Sequence, residues 1–151
     1  MYFLAFQRAC FRENNLSLHV NIIYEYRDNI DNMYETEELV KRIAEGIQEK
    51  KGKDIVVADL TDTDNSVCKY FVICEGNTPT QVAAIADSVN DYVRIHLGVK
   101  PTVVEGLRNA RWVAMDYSDV LVHIFVPEDR AFYNLENLWA DARLNMIPNL
   151  D

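Results

Sequence analysis

Apolar positions recur at two different periods along this chain, and the switches between them mark out its elements. From Glu35 to Lys50, Leu39, Ile43 and Ile47 fall at four-residue steps with Val40 and Ala44 beside them, the stripe of an amphipathic helix. Lys50, Lys51 and Lys53 crowd its end, where cations suit the helix dipole, and Gly52 is a natural stop. Two short apolar runs follow, Asp54–Leu60 and Lys69–Cys74, which read as buried strands on either side of the polar loop Thr61–Ser66. Thr78 or Thr80 then caps a second helix that tolerates Pro79 in its first turn. Val82, Ile85, Ala86, Val89 and Val93 form its stripe, and Gly98 ends it. Pro101–Glu105 predicts a third strand.

The most informative stretch comes next. Trp112–Tyr117 and Val120–Val126 are both strand-like, and only Ser118 and Asp119 separate them, which predicts a hairpin with Asp119 in its turn. Alternation puts Val120, Val122, Ile124 and Val126 on one face of the second run, suited to packing against a helix. Leu121, His123 and Phe125 take the other face, and Trp112, Ala114 and Asp116 share a face of the first run. A face that is aromatic and polar together is what a partner-binding surface wants. After the break at Pro127 a short helix runs to about Ala142, with Phe132, Leu135, Leu138 and Trp139 as the stripe that docks it on the sheet. The tail Met146–Asp151, which contains Pro148, reads as loose. The order α-β-β-α-β-β-β-α predicts an α/β (α+β) domain whose five-stranded mixed sheet carries flanking helices.

Residues 1–32 stand apart. Met1–Phe11 is apolar but interrupted by Arg8, and Leu16 to Tyr26 alternate like a strand. The expectation is an N-terminal extension, with Met33 as the physiological start of a single domain spanning 33–151. The alternatives are a true appended strand or an organellar targeting peptide, against which Glu13, Glu25, Asp28 and Asp31 weigh.

Composition narrows the chemistry. Across 151 residues the net charge is −9, which argues against a binder of nucleic-acid phosphates and makes a basic protein surface the more natural partner. No apolar stretch has the length of a membrane span, and the acidic residues that weigh against a targeting peptide make the cytoplasm the expected location. Cys10, Cys68 and Cys74 form no C-x-x-C pair, as in a reducing compartment, and His19, His96 and His123 are too scattered for a local metal site. No glycine-rich phosphate cradle is present, and Asp59, Asp62 and Asp64 read as a strand end and a solvated loop. Arg111 and Arg130 read as solvated or locally paired, with Glu128, Asp129, Glu136 and Asp141 facing water or a basic partner. No cofactor and no catalytic residue is expected.

The run W-V-A-M-D-Y-S-D-V-L-V-H-I-F, followed by P-E-D-R-A-F-Y-N-L-E-N-L-W-A-D-A, resembles the ribosomal silencing factor (RsfS, Iojap-like) family. D-I-V-V-A-D-L at 54–60, Y-F-V-I-C-E-G-N at 70–77, Q-V-A-A-I-A-D-S-V at 81–89 and K-P-T-V-V-E-G at 100–106 agree in order, so the likeness runs from about Glu35 to Ala142. The resemblance implies a factor that docks on the large ribosomal subunit, at its protein conventionally numbered fourteen. From there it blocks joining of the small subunit and represses translation when nutrients are short, without cofactor, membrane or sequence-specific nucleic-acid contact. A homodimer of the free protein is the further expectation. The expected contact residues are Trp112, Asp116, Asp119, His123 and Phe125, with Glu105, Tyr117 and Trp139 as weaker members.

The family's fold resembles that of nucleotidyltransferases, which supplies the competing reading of an enzyme acting on nucleotide or RNA. Such enzymes use a Gly-Ser turn and a D-x-D carboxylate pair. Here the turn would be Gly76-Asn77-Thr78, and Asp116 and Asp119 are three apart, so their side chains would not share a strand face. The expectation is the fold without its catalytic motif.

Overall fold

The computed structural model describes residues 36–64, 66–139 and 142–150. The expectations for residues 1–32 and for Asp141 lie outside them. Helix α1 (Thr36–Glu49) buries Leu39, Ile43 and Ile47, the stripe its period demanded, and β1 (Lys53–Asp59) and β2 (Tyr70–Glu75) follow as an antiparallel pair. Helix α2 (Pro79–Leu97) starts at Thr78, whose hydroxyl accepts the Gln81 N–H at 3.1 Å, and stops at Gly98 in the left-handed region at φ 68°. Then come β3 (Val103–Glu105), β4 (Trp112–Asp116) and β5 (Val120–Phe125).

The strands line up as β3-β4-β5-β2-β1 with one further strand, β6 (Arg143–Ile147), at the outer edge of β1. β2 and β5 are parallel and every other neighbouring pair is antiparallel, so β2 and β3 point the same way and α2 is the crossover between them. The mixed sheet with flanking helices is therefore present, but among the described residues it holds six strands, not five. The sixth runs from Arg143, just past the expected helix end, into Met146 and Ile147, the first two residues of the tail expected to be loose. Its side chains stay largely exposed, so no hydrophobic alternation announces it. Pairing with β1 holds it through the backbone, along with an Arg143–Asp62 ion pair at 2.6 Å and reciprocal Asp54–Asn149 hydrogen bonds of 2.8 and 3.1 Å.

The β-branched face is sealed: Val72, Cys74, Val113, Val120, Val122 and Ile124 have no accessible surface. Helices α1 and α2 lie side by side on the sheet, close enough that a Cβ on Gly46 would come within 3.0 Å of the Val89 backbone. Burial pushes the Cys74 thiol up to about 12, which leaves it an inert core residue.

The closing helix differs from its expected form. Instead of one continuous stripe there are α3 (Pro127–Tyr133) and α4 (Leu135–Leu138), split by Asn134 in the left-handed region at φ 48°. The break resets the helical phase. Leu135 is buried, while Phe132 and Leu138 are 81% and 57% exposed.

Candidate functional site

The other sheet face carries the residues singled out from the sequence. Strand register places Trp112 opposite Phe125, Ala114 opposite His123 and Asp116 opposite Leu121, with Glu105 beyond Ala114 on β3. Opposed residues of antiparallel strands share a face, so Trp112, Asp116, His123, Phe125 and Glu105 do come together. Trp139 joins them through Phe71, their ring centroids 5.8 Å apart.

These rings form an internal stack. Trp112 lies 4.6 Å from Phe125 and 4.5 Å from Tyr133 of α3, and Phe71 meets His123 edge-on at 5.2 Å. Phe71 and Tyr133 escaped the sequence reading, although Phe71 occupies the same strand face as Glu75 by simple alternation. Trp112, His123 and Phe125 are buried, at 3%, 3% and 0% exposure. As contact residues they are corrected here: they lie beneath the surface and shape it, because burying large rings is worth more to the fold than offering them to solvent. Tyr117 is also buried, and lies just past the end of β4 rather than with the stack.

His123 holds its place by polarity as well as packing. The indole Nε1–H of Trp112 donates to His123 Nδ1 at 3.1 Å, which puts the imidazole proton on Nε2. That Nε2 is buried with no hydrogen-bond partner among the described residues. Burial pushes the imidazole down to about 3, and a proton arriving at Nδ1 would also face the indole N–H. His123 is a neutral acceptor across the physiological range.

Asp119 proves to be a structural hub. Its backbone carbonyl accepts the N–H groups of Lys69 and Tyr70 at 2.9 and 3.0 Å. Its carboxylate meets Lys69 Nζ at 3.1 Å and accepts the Thr36 hydroxyl at 3.3 Å, so it ties the hairpin to the entries of β2 and α1. Asp116 is half-buried and accepts the Ser118 N–H at 2.7 Å, holding Ser118 in the left-handed region at φ 71°. Glu105 and Trp139 are likewise half-buried.

Helices α3 and α4 are clasped to this face by Arg130, whose side chain is 12% exposed and reaches Glu75 at 3.4 Å and Glu136 at 2.6 Å. Desolvation pushes the Glu75 carboxyl up, with the Arg130 charge opposing it. Arg111 likewise pairs with Asp129 at 2.7 Å and with Glu128 at 3.6 Å. Both arginines are thus locally paired, Arg130 turned inward and Arg111 at the surface.

For metal chemistry the geometry offers little. Asp59 accepts two hydrogen bonds from Thr61, which hold its carboxyl below the usual range, and Asp62 pairs with Arg143. Among the described residues no group of three or more His, Cys, Asp or Glu is placed to hold a metal ion, and no helix is long and apolar enough to cross a membrane.

Comparison with known proteins gives a consistent result. The family model described as "Ribosomal silencing factor during starvation" matches residues 33–151. A ribosomal silencing factor RsfS of Bacillus subtilis is 40% identical over 106 residues, covering 70% of this chain and 88% of that protein. The chloroplastic protein Iojap of Zea mays is 35% identical over 83 residues, 53% of this chain and 34% of that protein. A crystal structure of a Chromobacterium violaceum protein superposes with a TM-score of 0.67 at 32% identity, covering 71% of this chain and 88% of the other.

Proposed function

The chain belongs to the ribosomal silencing factor family, and from that premise we propose that it acts on the large ribosomal subunit as a steric block. In this reading it docks on the subunit's protein conventionally numbered fourteen, at the side where the small subunit joins. Translation falls because joining is prevented, when nutrients are short. The observation that carries the reading is the family match across the whole of residues 33–151.

Two features of the chain support it. The net charge of −9 favours a basic protein over RNA phosphates and would speed and orient encounter. The ring stack under α3 and α4 makes a stiff platform, and stiffness lowers the entropy lost on docking. Of the expected contact residues, Asp116, Glu105 and Trp139 are the half-buried members through which that platform can be felt from outside. The role needs bulk and a lasting contact and no chemistry. Asp116 and Asp119, the carboxylates a nucleotidyltransferase reading would need, are engaged in the hairpin and the β2 entry. The site of action is the cytoplasm, and residues 33–151 suffice for silencing.

Sucrose-gradient sedimentation tests this directly. Chain added to purified large subunits should co-migrate with them and, when small subunits are supplied, reduce the joined ribosome peak. Free chain at the top of the gradient and an unchanged joined peak would overturn the reading.

A further inference from the structure

We infer that the α3–α4 corner is itself a docking surface for a basic protein, with Phe132 as its apolar anchor and Glu128 on its acidic rim. The inference rests on the ribosomal reading above and names a part of the contact which the sequence pattern had assigned to the core.

A regular helix through residues 127–142 would turn Phe132, Leu135 and Leu138 toward the sheet together. Asn134, at φ 48° and ψ 52°, ends α3 instead, with its N–H bonded to the Arg130 carbonyl at 2.9 Å. Only Leu135 then goes inward, while Phe132 is left 81% exposed and Leu138 57% exposed. Asn is, after glycine, among the residues that adopt this conformation most readily, so residue 134 itself favours the outward turn.

The helix that carries the exposed ring is fastened to the sheet. Phe132 meets Tyr133 edge-on at 5.0 Å, and Tyr133 lies 4.5 Å from Trp112 in the buried stack. Arg130 fastens the same short helix to Glu75 and Glu136. An aromatic side chain has only two rotatable bonds to fix and here rises from a helix already held in place, so it loses little freedom on binding and can dominate an interface.

Charge selects the occupant. Four carboxylates, Glu75, Glu128, Asp129 and Glu136, surround two cations, Arg111 and Arg130, and both cations are paired. Glu128 is the member that faces solvent, with 79% of its side chain exposed. RNA phosphates would be repelled there. A protein surface with an apolar recess among Lys and Arg side chains fits.

The test uses the full chain and its Phe132→Ala and Glu128→Lys variants, with purified large subunits, the ribosomal RNA stripped of protein, and light scattering of the free chain. Phe132→Ala should weaken large-subunit binding by about tenfold or more while thermal unfolding stays unchanged, since the ring is exposed. Glu128→Lys should weaken it less and flatten its dependence on salt. Wild-type binding with an unaltered Phe132→Ala variant overturns the anchor and leaves the ribosomal reading standing. Phe132-dependent binding to the stripped RNA overturns the protein partner. A wild-type dimer that Phe132→Ala converts to monomer, without loss of subunit binding, makes a second copy the occupant. Failure of the wild type to bind the subunit overturns both readings together.

Discussion

Acidification should unfold this protein partly through one side chain, His123. The imidazole lies at about 3 in the fold, against 6.5 when exposed, because burial disfavours the cation. A group whose folded value is depressed takes up protons on unfolding, so stability is fully present above 6.5 and is lost as pH falls toward 3. Across that window the loss approaches about 1.4 kcal/mol for each pH unit, or about 2 kcal/mol between about pH 7 and about pH 5. Nothing in the stack offsets it: Nδ1 already accepts from the Trp112 indole, and Nε2 has no acceptor among the described residues to meet a second charge. Other groups also titrate, so the measurement is a difference. Urea unfolding of wild type and His123→Phe would be followed at both pH values. The variant loses the Trp112 acceptor and is destabilised at either pH, by about 1–3 kcal/mol, but this penalty does not vary with pH. Wild type should therefore lose about 2 kcal/mol more than the variant on acidification. Equal losses would show that His123 is not held neutral by burial, and the account of the stack would fail.

Other outcomes follow from the same geometry. Asp116→Lys should abolish large-subunit binding in sedimentation and lower the unfolding midpoint only slightly, through loss of the Ser118 N–H acceptor, whereas Asp119→Lys should lower it further, because it sets two lysines together where Asp119 now bonds Lys69 and Thr36. Equal stability of the two variants would sink that distinction. Arg130→Ala strands Glu75 and Glu136 and should cost about 1–3 kcal/mol, with faster amide exchange in α3 and α4 than in α1. Uniform protection after the change would show that Arg130 is no clasp. Gly46→Ala presses a methyl to within 3.0 Å of the Val89 backbone and should destabilise by about 1–3 kcal/mol. A variant as stable as wild type in thermal unfolding would mean that α1 and α2 are less tightly packed than described.

Local periodicity carried most of the architecture. The four-residue steps of Leu39, Ile43 and Ile47, the Thr78 cap, the Gly98 stop and the alternation from Val120 to Phe125 are properties of neighbours in sequence. So is the sharing of one sheet face by Trp112, Asp116, His123 and Phe125, since alternation and register follow once the hairpin closes. The collinear segments of the family were readable for the same reason.

Three matters could be decided only by tertiary structure. β6 pairs through its backbone with side chains left exposed, and backbone pairing leaves no pattern of hydrophobic and polar residues. Whether the aromatic face was surface or interior depended on what lay over it: Tyr133 of α3 comes onto Trp112, and Arg130 fastens that helix. The helix stripe from Phe132 to Trp139 was broken by the backbone angle of a single residue, Asn134. A periodic pattern states which side chains can share a face. It does not state which face another part of the chain will cover, because that is settled by contacts between residues far apart in sequence.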